Sequence, residues 1–402
     1  MGKYDEYFLM NADQAAEYAI AKIPEIEWDA ATITSKEIGD GNLNYVFKVH
    51  DEKGHSAIIK QAGSALRISA DMHLPVDRNR IESEILILQE KLAPGYVPHI
   101  YFYDTVMSAC GMEDLSDHQL MRYALMEHKI FPLFADQIST FMVKTLLGSS
   151  DIVMNHKEKK ELNKTFCNPD LCDLTEDVVY TDPYTDYRGY NKPFAPNFDF
   201  LKKELYEDDE LKLEVAKLKM EFMTNAQSLI HGDLHTGSIF IKEDSTKVFD
   251  PEFAFYGPMG YDIGNVIANM IFAWCNGDFY GKKEFCDWVE SVIVDVVDMT
   301  MSKMNEYYDE NAADLMVKTP GYKEYYLGTI LADTAGVTGL ELNRRIIGTA
   351  QVKDITTIPD EAGRVRAERI CVLAAKRFIK ERTQLKNGAD FLAILKDAIA
   401  KA

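Results

Sequence analysis

The chain has 402 residues, with 44 lysines and arginines against 65 aspartates and glutamates, a formal charge of −21 near neutral pH. That excess repels phosphate backbones and anionic lipid surfaces, and no local basic patch offsets it, so neither nucleic acid nor a membrane is an expected partner. Its 47% apolar and 11% aromatic content can bury a core, and its length fits two or three domains.

The first third alternates short β-rich runs with turns. Residues 38–49 read IGDGNLNYVFKV, Asp51-Glu52-Lys53-Gly54 makes a polar turn, and residues 55–60 read HSAIIK, which predicts two strands joined by a turn. Asp77 opens a helical pattern with Ile81, Ile85, Leu88 and Leu92 on one stripe, closed by Pro94-Gly95. Further strands are expected at 99–103 and 124–128. Beyond residue 129, charged amphipathic stretches at 132–147, 151–166, 199–229, 284–306, 322–342 and 360–384 predict a mainly helical region, and this shift sets a domain boundary between 128 and 129. Residues 167–198, which hold four prolines and a run of aromatic residues from Tyr180 to Phe194, are expected to form an irregular packed loop.

The longest uncharged run, 263–277, is too short to cross a bilayer and contains Asn265, Asn269 and Asn276, so it reads as a buried helix. Six cysteines without a CxxC pair read as buried, reduced thiols. The N-terminus has no apolar segment and carries Glu6 where an acylation signal has Ser or Thr, so cytoplasmic residence is expected.

The densest chemistry lies in Leu229-Ile230-His231-Gly232-Asp233-Leu234-His235-Thr236-Gly237-Ser238-Ile239-Phe240-Ile241. An apolar run enters a polar loop and leaves it as a strand. A turn at 242–246 sends the chain back through Lys247-Val248-Phe249 to Asp250-Pro251-Glu252, and arms of similar length would return Asp250 to the level of the Asp233 loop. Pro251 favours an extended segment, on which Asp250 and Glu252 face one side and can jointly offer oxygens to one hard cation such as Mg²⁺.

These residues resemble the protein-kinase-like small-molecule phosphotransferases that include choline and aminoglycoside kinases. HGDLH matches their catalytic loop, and Asp250 falls where their metal-binding Asp stands. More narrowly, GDGNLNYVFKV, HGDLHTGSIF and DPEFAFYGPMGYDIGN are similar to the 5-methylthioribose kinase family of methionine salvage. That family shares the Asp-x-Glu and carries a Ser, here Ser238, where most relatives have a metal-binding Asn. The resemblance implies an α+β, two-lobed protein-kinase-like fold, with an N-terminal antiparallel sheet lobe over 1–128 and a larger, mainly helical C-terminal lobe over 129–402. It also implies ATP and Mg²⁺ as cofactors, a homodimer, and transfer of the ATP γ-phosphate to the 1-hydroxyl of 5-methylthioribose. Asp233 would orient that hydroxyl and take its proton, and the metal would rest on Asp250 and Glu252.

Gly39, Asp40, Gly41, Asn42 and Asn44 can form a hairpin whose backbone N–H groups meet phosphate oxygens. A plain β-turn accounts for the run equally well, and Asn44 stands where the kinase pattern has its third glycine. By resemblance Lys60 neutralises the α- and β-phosphates and pairs with Glu84, with Glu82 as the competitor on the same helix. The backbone of Met126-Glu127-His128-Lys129 would hold adenine. Asp262 reads as the N-cap of the core helix and, in relatives, as a brace of the catalytic loop. Arg344 and Arg345 fit an anionic transition state or sugar hydroxyls, and the family places substrate-binding arginines there. Asp71-Met72-His73-Leu74 replaces a loop that often bears Trp. Two alternatives remain: the same fold acting on choline, homoserine or an aminoglycoside, and a catalytically inactive nucleotide-binding protein.

Overall fold

The computed structural model describes residues 2–38, 44–63 and 78–402. The expected phosphate-binding residues Gly39, Asp40, Gly41 and Asn42, the segment Asp71 to Leu74, and Asp77 lie outside the described residues. The chain divides into two units, Met1–His118 with Lys247–Glu252, and Gln119–Thr246 with Phe253–Ala402.

The first unit contains α1 (Ala12–Lys22), β1 (Thr34–Glu37), β2 (Asn44–His50), β3 (Ser56–Ala62), α2 (Arg78–Leu92), β4 (Ile100–Asp104) and β5 (Ala109–Met112). The strands form one antiparallel sheet in the order β1-β2-β3-β5-β4. Because alternate residues of a strand face opposite sides, β3 presents Ala57 and Ile59 to one core and Lys60 to the other face. That core joins Phe47, Val49, Ala57, Ile59 and Ala109 to Ala15, Tyr18, Ala19 and Ile23 of α1. Helix α1 is started by a capping box, in which the Asn11 side chain accepts from Gln14 N and the Gln14 side chain accepts from Asn11 N, each at 2.9 Å.

The second unit runs β6 (Gln119–Leu120), α3 (Met121–Met126), α4 (Phe134–Gly148), α5 (His156–Thr165), α6 (Pro169–Val178), α7 (Asp182–Thr185), α8 (Phe198–Leu201), α9 (Asp209–Thr224), β7 (Ser228–Ile230), β8 (Ile239–Lys242), β9 (Ser245–Val248) and β10 (Phe255–Gly257). It ends with α10 (Gly260–Phe279), α11 (Lys283–Asn311), α12 (Tyr322–Ile347), α13 (Lys353–Thr356), α14 (Glu361–Glu381) and α15 (Gly388–Lys401). Strand β8 pairs with β6, and β9 carries the chain into the first unit at Lys247. Helix α10 is buried from Gly260 to Gly277. Small residues let its neighbours approach: a Cβ on Gly264 would lie 2.7 Å from Thr334 O of α12, and one on Gly339 of α12 would lie 2.5 Å from Ala375 O of α14. Among the described residues no helix is long and apolar enough to cross a membrane.

Three expectations change. Residues 124–128 are not a strand: Met121, Ala124 and Leu125 are buried at helical spacing and form α3. The division falls after His118 and not after 128, because Gln119 and Leu120 pair with Ile241 and Phe240 of the second unit. Residues 167–198 are not irregular throughout, because Pro169 and Pro183 each sit in the first turn of a helix, where a missing N–H costs nothing. Of the cysteines, Cys110, Cys275, Cys286 and Cys371 are buried, whereas Cys167 is exposed and Cys172 half-buried.

Candidate active site

Two charge clusters stand out, one in each unit. In the first, Lys60 leaves the sheet on the face opposite the α1 core and is 9% exposed. Its Nζ lies 2.8 and 2.7 Å from the two Glu82 carboxylate oxygens and 2.6 Å from Asp250 Oδ1. Burial alone would lower the ammonium's pKa, but the charges of Asp250, Glu82 and Glu252 outweigh it and hold the group well above its usual value. The lysine stays charged.

Its helix partner is Glu82 and not Glu84. Glu84 pairs with Arg80 at 2.7 Å on a half-exposed flank. The buried stripe of α2 runs through Glu82, Ile85, Leu86 and Gln89, so Glu82 sits on it and Glu84 beside it. Asn44, buried, opens β2. The segment bearing Asp250 is tied to the first unit by Val248 N donating to Tyr96 O at 2.7 Å and by a Lys247 to Glu113 ion pair at 2.6 Å.

Asp250 does not lie on extended chain, as Pro251 suggested. Its φ is 65°, a left-handed conformation that costs a non-glycine residue about 1–3 kcal/mol. An extended backbone therefore does not set Asp250 and Glu252 on one side, and what relates the two carboxylates is Lys60, on which both act. Asp250 is half-exposed whereas Glu252 is buried. Among the described residues no group of three or more His, Cys, Asp or Glu side chains is arranged to hold a metal.

The second cluster is built on the loop between β7 and β8. Asp262, in the first turn of α10, accepts from His231 N at 2.7 Å and Gly232 N at 3.0 Å, so it braces this loop. It is not the N-cap, which is Met259. Gly232 has φ 80°, and a Cβ there would lie 2.3 Å from Phe253 O, so only glycine fits.

The Asp233 carboxylate then meets His235 Nε2 at 3.2 Å, Arg344 Nη2 at 3.3 Å and Arg345 Nη2 at 3.6 Å. Both arginines are buried on α12 and share Glu341, one turn earlier, which takes Arg345 Nε at 2.8 Å and also pairs with Arg344 Nε. Burial would raise the Asp233 pKa, but His235 and then Arg345 and Arg344 hold it well below the usual carboxylate range. Ser238 Oγ donates to Asp233 O at 2.9 Å, so this hydroxyl is committed to the loop's own backbone.

Glu127 and His128 do not offer backbone donors to a ligand. The N–H groups of Glu127, His128 and Lys129 close the end of α3 on Tyr123, Leu125 and Ala124 carbonyls. The Glu127 side chain pairs with Lys129 at 2.6 Å, and His128 Nε2 meets Asn276 Oδ1 at 3.0 Å. Arg122 and Glu341 join the site without having stood out in the sequence, where His235 was read only as part of HGDLH.

Residues 182–281 match the phosphotransferase enzyme family. The chain is similar to the methylthioribose kinase of Bacillus pumilus (strain SAFR-032), with 37% identity over 92% of this chain and 93% of that one. The methylthioribose kinase of Geobacillus thermodenitrificans (strain NG80-2) is 39% identical over 90% of this chain and 91% of its own. That of Yersinia enterocolitica (serotype O:8 / biotype 1B, strain NCTC 13174 / 8081) is 34% identical over 96% and 98%. A solved choline kinase from Cryptosporidium parvum Iowa II aligns over 97% of this chain and 96% of its own at 13% identity, with a TM-score of 0.49. Full-length likeness of this order to relatives of one kind, together with the Asp233 loop and the Lys60 cluster, makes the chain a member of the methylthioribose kinase family.

Proposed function

We propose that the protein transfers the γ-phosphate of ATP to the 1-hydroxyl of 5-methylthioribose, giving the 1-phosphate and ADP, and so serves methionine salvage in the cytoplasm. The observation that carries this reading is the half-buried Asp233 carboxylate, kept ionised by the hydrogen bond from His235 and the charges of Arg345 and Arg344 in a chain of this family.

Asp233 accepts a hydrogen bond from the acceptor hydroxyl and aims its oxygen at the γ-phosphorus. With its pKa held down it is a weak base, so it orients first and takes the proton only as the new O–P bond forms and the bond from Pγ to the β-phosphate oxygen breaks. Arg344 and Arg345 bind sugar hydroxyls or the charge spreading over the transferred phosphoryl oxygens. They also disfavour a cationic acceptor such as choline.

Lys60 binds the α- and β-phosphates, releasing Asp250 as it does so, while Glu82 keeps it in place. The hard oxygen donors of Asp250 and Glu252 suit Mg²⁺, which needs only one or two protein carboxylates beside the phosphates, and the three carboxylates around Lys60 exceed its single charge. Bound there, Mg²⁺ would neutralise the triphosphate. A homodimer belongs to the same reading and is checked by sedimentation.

The test is a panel of alcohols with purified protein and Mg-ATP. 5-Methylthioribose is expected to turn over fastest, with mass spectrometry and phosphorus NMR finding the phosphate on the anomeric oxygen. Faster turnover of choline, homoserine or an aminoglycoside would move the assignment to that acceptor, and no turnover of any would support an inactive nucleotide binder.

A further inference from the structure

The Asp233 loop holds a charge arrangement that phosphoryl transfer, as described, leaves unused. His235 Nδ1 accepts from Gly237 N–H at 2.9 Å, which leaves the proton of a neutral ring on Nε2, 3.2 Å from Asp233 Oδ2. Arg122, from α3, brings Nη2 to 3.3 Å from Nδ1 and 3.5 Å from Nε2 of the same ring. Near-equal distances set the guanidinium against the imidazole and not in line with one nitrogen. The fit is close: a Cβ on Gly237 would come within 2.6 Å of Arg122 Nη2 and 2.7 Å of His235 Cε1. Arg122 Nε is buried and has no hydrogen-bond partner among the described residues, so this cation is not held there by a full set of conventional bonds.

We propose that Arg122 is a positioning residue of this site, which keeps His235 a neutral donor of one hydrogen bond to Asp233 so that an imidazolium does not neutralise the carboxylate. Asp233 then keeps both its orientation and an oxygen for the acceptor hydroxyl.

The groups that face His235 are Asp233 and the Ser238 hydroxyl from its own loop, Arg345 from α12 and Arg122 from α3. Glu341 of α12 and Asp354 of α13 act on Arg122 in turn, each partly offsetting its charge. Burial lowers the imidazole's pKa, Asp233 pulls it up, and Arg345 and Arg122 push it down again, with a net direction below the ordinary value. The inference rests on Asp233 as the acceptor-binding carboxylate, but its first readout does not need activity.

Histidine-labelled protein, with His235 assigned through His235→Asn, reports the ring by NMR between about pH 5 and 8, around the ordinary imidazole value. Wild-type His235 is expected to titrate below the ordinary imidazole value, with the proton of its neutral ring on Nε2. In Arg122→Gln the midpoint should rise by about one unit, and the acidic limb of kcat/KM for 5-methylthioribose should move with it. Arg122→Lys, which keeps the charge, should restore the wild-type curve. Wild-type His235 titrating at or above about 6.5 overturns the proposal, as does an Arg122→Gln variant whose turnover falls equally at every pH with an unmoved His235 curve. Failure to phosphorylate 5-methylthioribose leaves the ring titration readable, so the two readings can fail separately.

Discussion

The clusters in the two units are inversions of one another. In the first, one ammonium answers three carboxylates, Glu82, Asp250 and Glu252. In the second, Arg122, Arg344 and Arg345 gather around Asp233, His235 and Glu341. Burying an excess of either sign is costly, and proteins keep such an excess mainly where a ligand or a reaction uses it. The negative excess suits a divalent cation with its phosphates, and the positive excess suits hydroxyls and a transferring phosphoryl group. On the proposed reading, nucleotide and acceptor would be met by opposite electrostatics.

Breaking the negative cluster at its most exposed carboxylate should have the largest effect. Asp250→Asn is expected to be close to inactive at any attainable Mg²⁺ in initial-rate titrations at fixed ATP. Glu252→Gln should raise the Mg²⁺ needed for half-maximal rate far more than Ser238→Ala, whose hydroxyl already serves the Asp233 carbonyl at 2.9 Å. A Ser238→Ala variant more metal-dependent than Glu252→Gln would place the metal on the loop instead.

In the positive cluster, Asp233→Asn should lose turnover by about 10²- to 10⁴-fold, the scale of general acid–base catalysis, while calorimetry finds binding of a non-hydrolysable ATP analogue retained. Near-normal turnover would reduce Asp233 to a loop residue. A smaller effect separates two neighbours on α2. Glu82→Gln should raise KM for ATP roughly tenfold, the scale of one charge-assisted hydrogen bond, whereas Glu84→Gln, losing only a half-exposed pair with Arg80, should stay within about twofold.

The smallest effect sharpens the contrast between paired and unpaired burial along α12. Glu341, shared by two arginines, is held below the usual carboxylate range despite its burial. Asp333 on the same helix has a buried Oδ2 with no hydrogen-bond partner among the described residues, and burial, with Glu221 adding, pushes its pKa up to about 7. A raised carboxyl favours the folded state only while protonated, so its cost appears as pH climbs from near 4 toward 7 and remains above. Asp333→Asn should therefore raise the melting temperature by roughly 2–6 °C at pH 8 and leave it nearly unchanged at pH 4. An equal shift at both values would mean that packing, not charge, sets the difference.

What the sequence hid follows from these same sites. Asp233 and Asp250 stood out in a polar loop and a returning hairpin, whereas Lys60, Arg344 and Arg345 were singled out chiefly by the family resemblance, since a strand-end lysine and adjacent arginines are ordinarily surface charge. Glu82 stood only as the competitor of Glu84, because an apolar stripe through Ile81, Ile85, Leu88 and Leu92 assumes that buried positions are apolar. Here the stripe holds Glu82 and Gln89 while Leu88 and Leu92 are half-buried. Arg122 has no local signal at all: in MRYALM it is one charge on a short helix, and only the fold brings it to His235. The left-handed backbone of Asp250 was equally invisible, since Pro251 restrains its predecessor toward extended conformations and tertiary contacts override that preference. Helix α1, by contrast, announces itself through Asn11 and Gln14, a capping-box spacing that an apolar-periodicity reading passes over.

The division of labour between the clusters is tested most directly by calorimetry on two variants, each titrated with a non-hydrolysable Mg-ATP analogue and with 5-methylthioribose. Lys60→Met should lose nucleotide affinity by about tenfold or more while its acceptor affinity stays within about twofold, and Arg345→Gln should show the reverse. Variants that each lose both affinities to the same extent, with the fold intact by circular dichroism, would contradict the account.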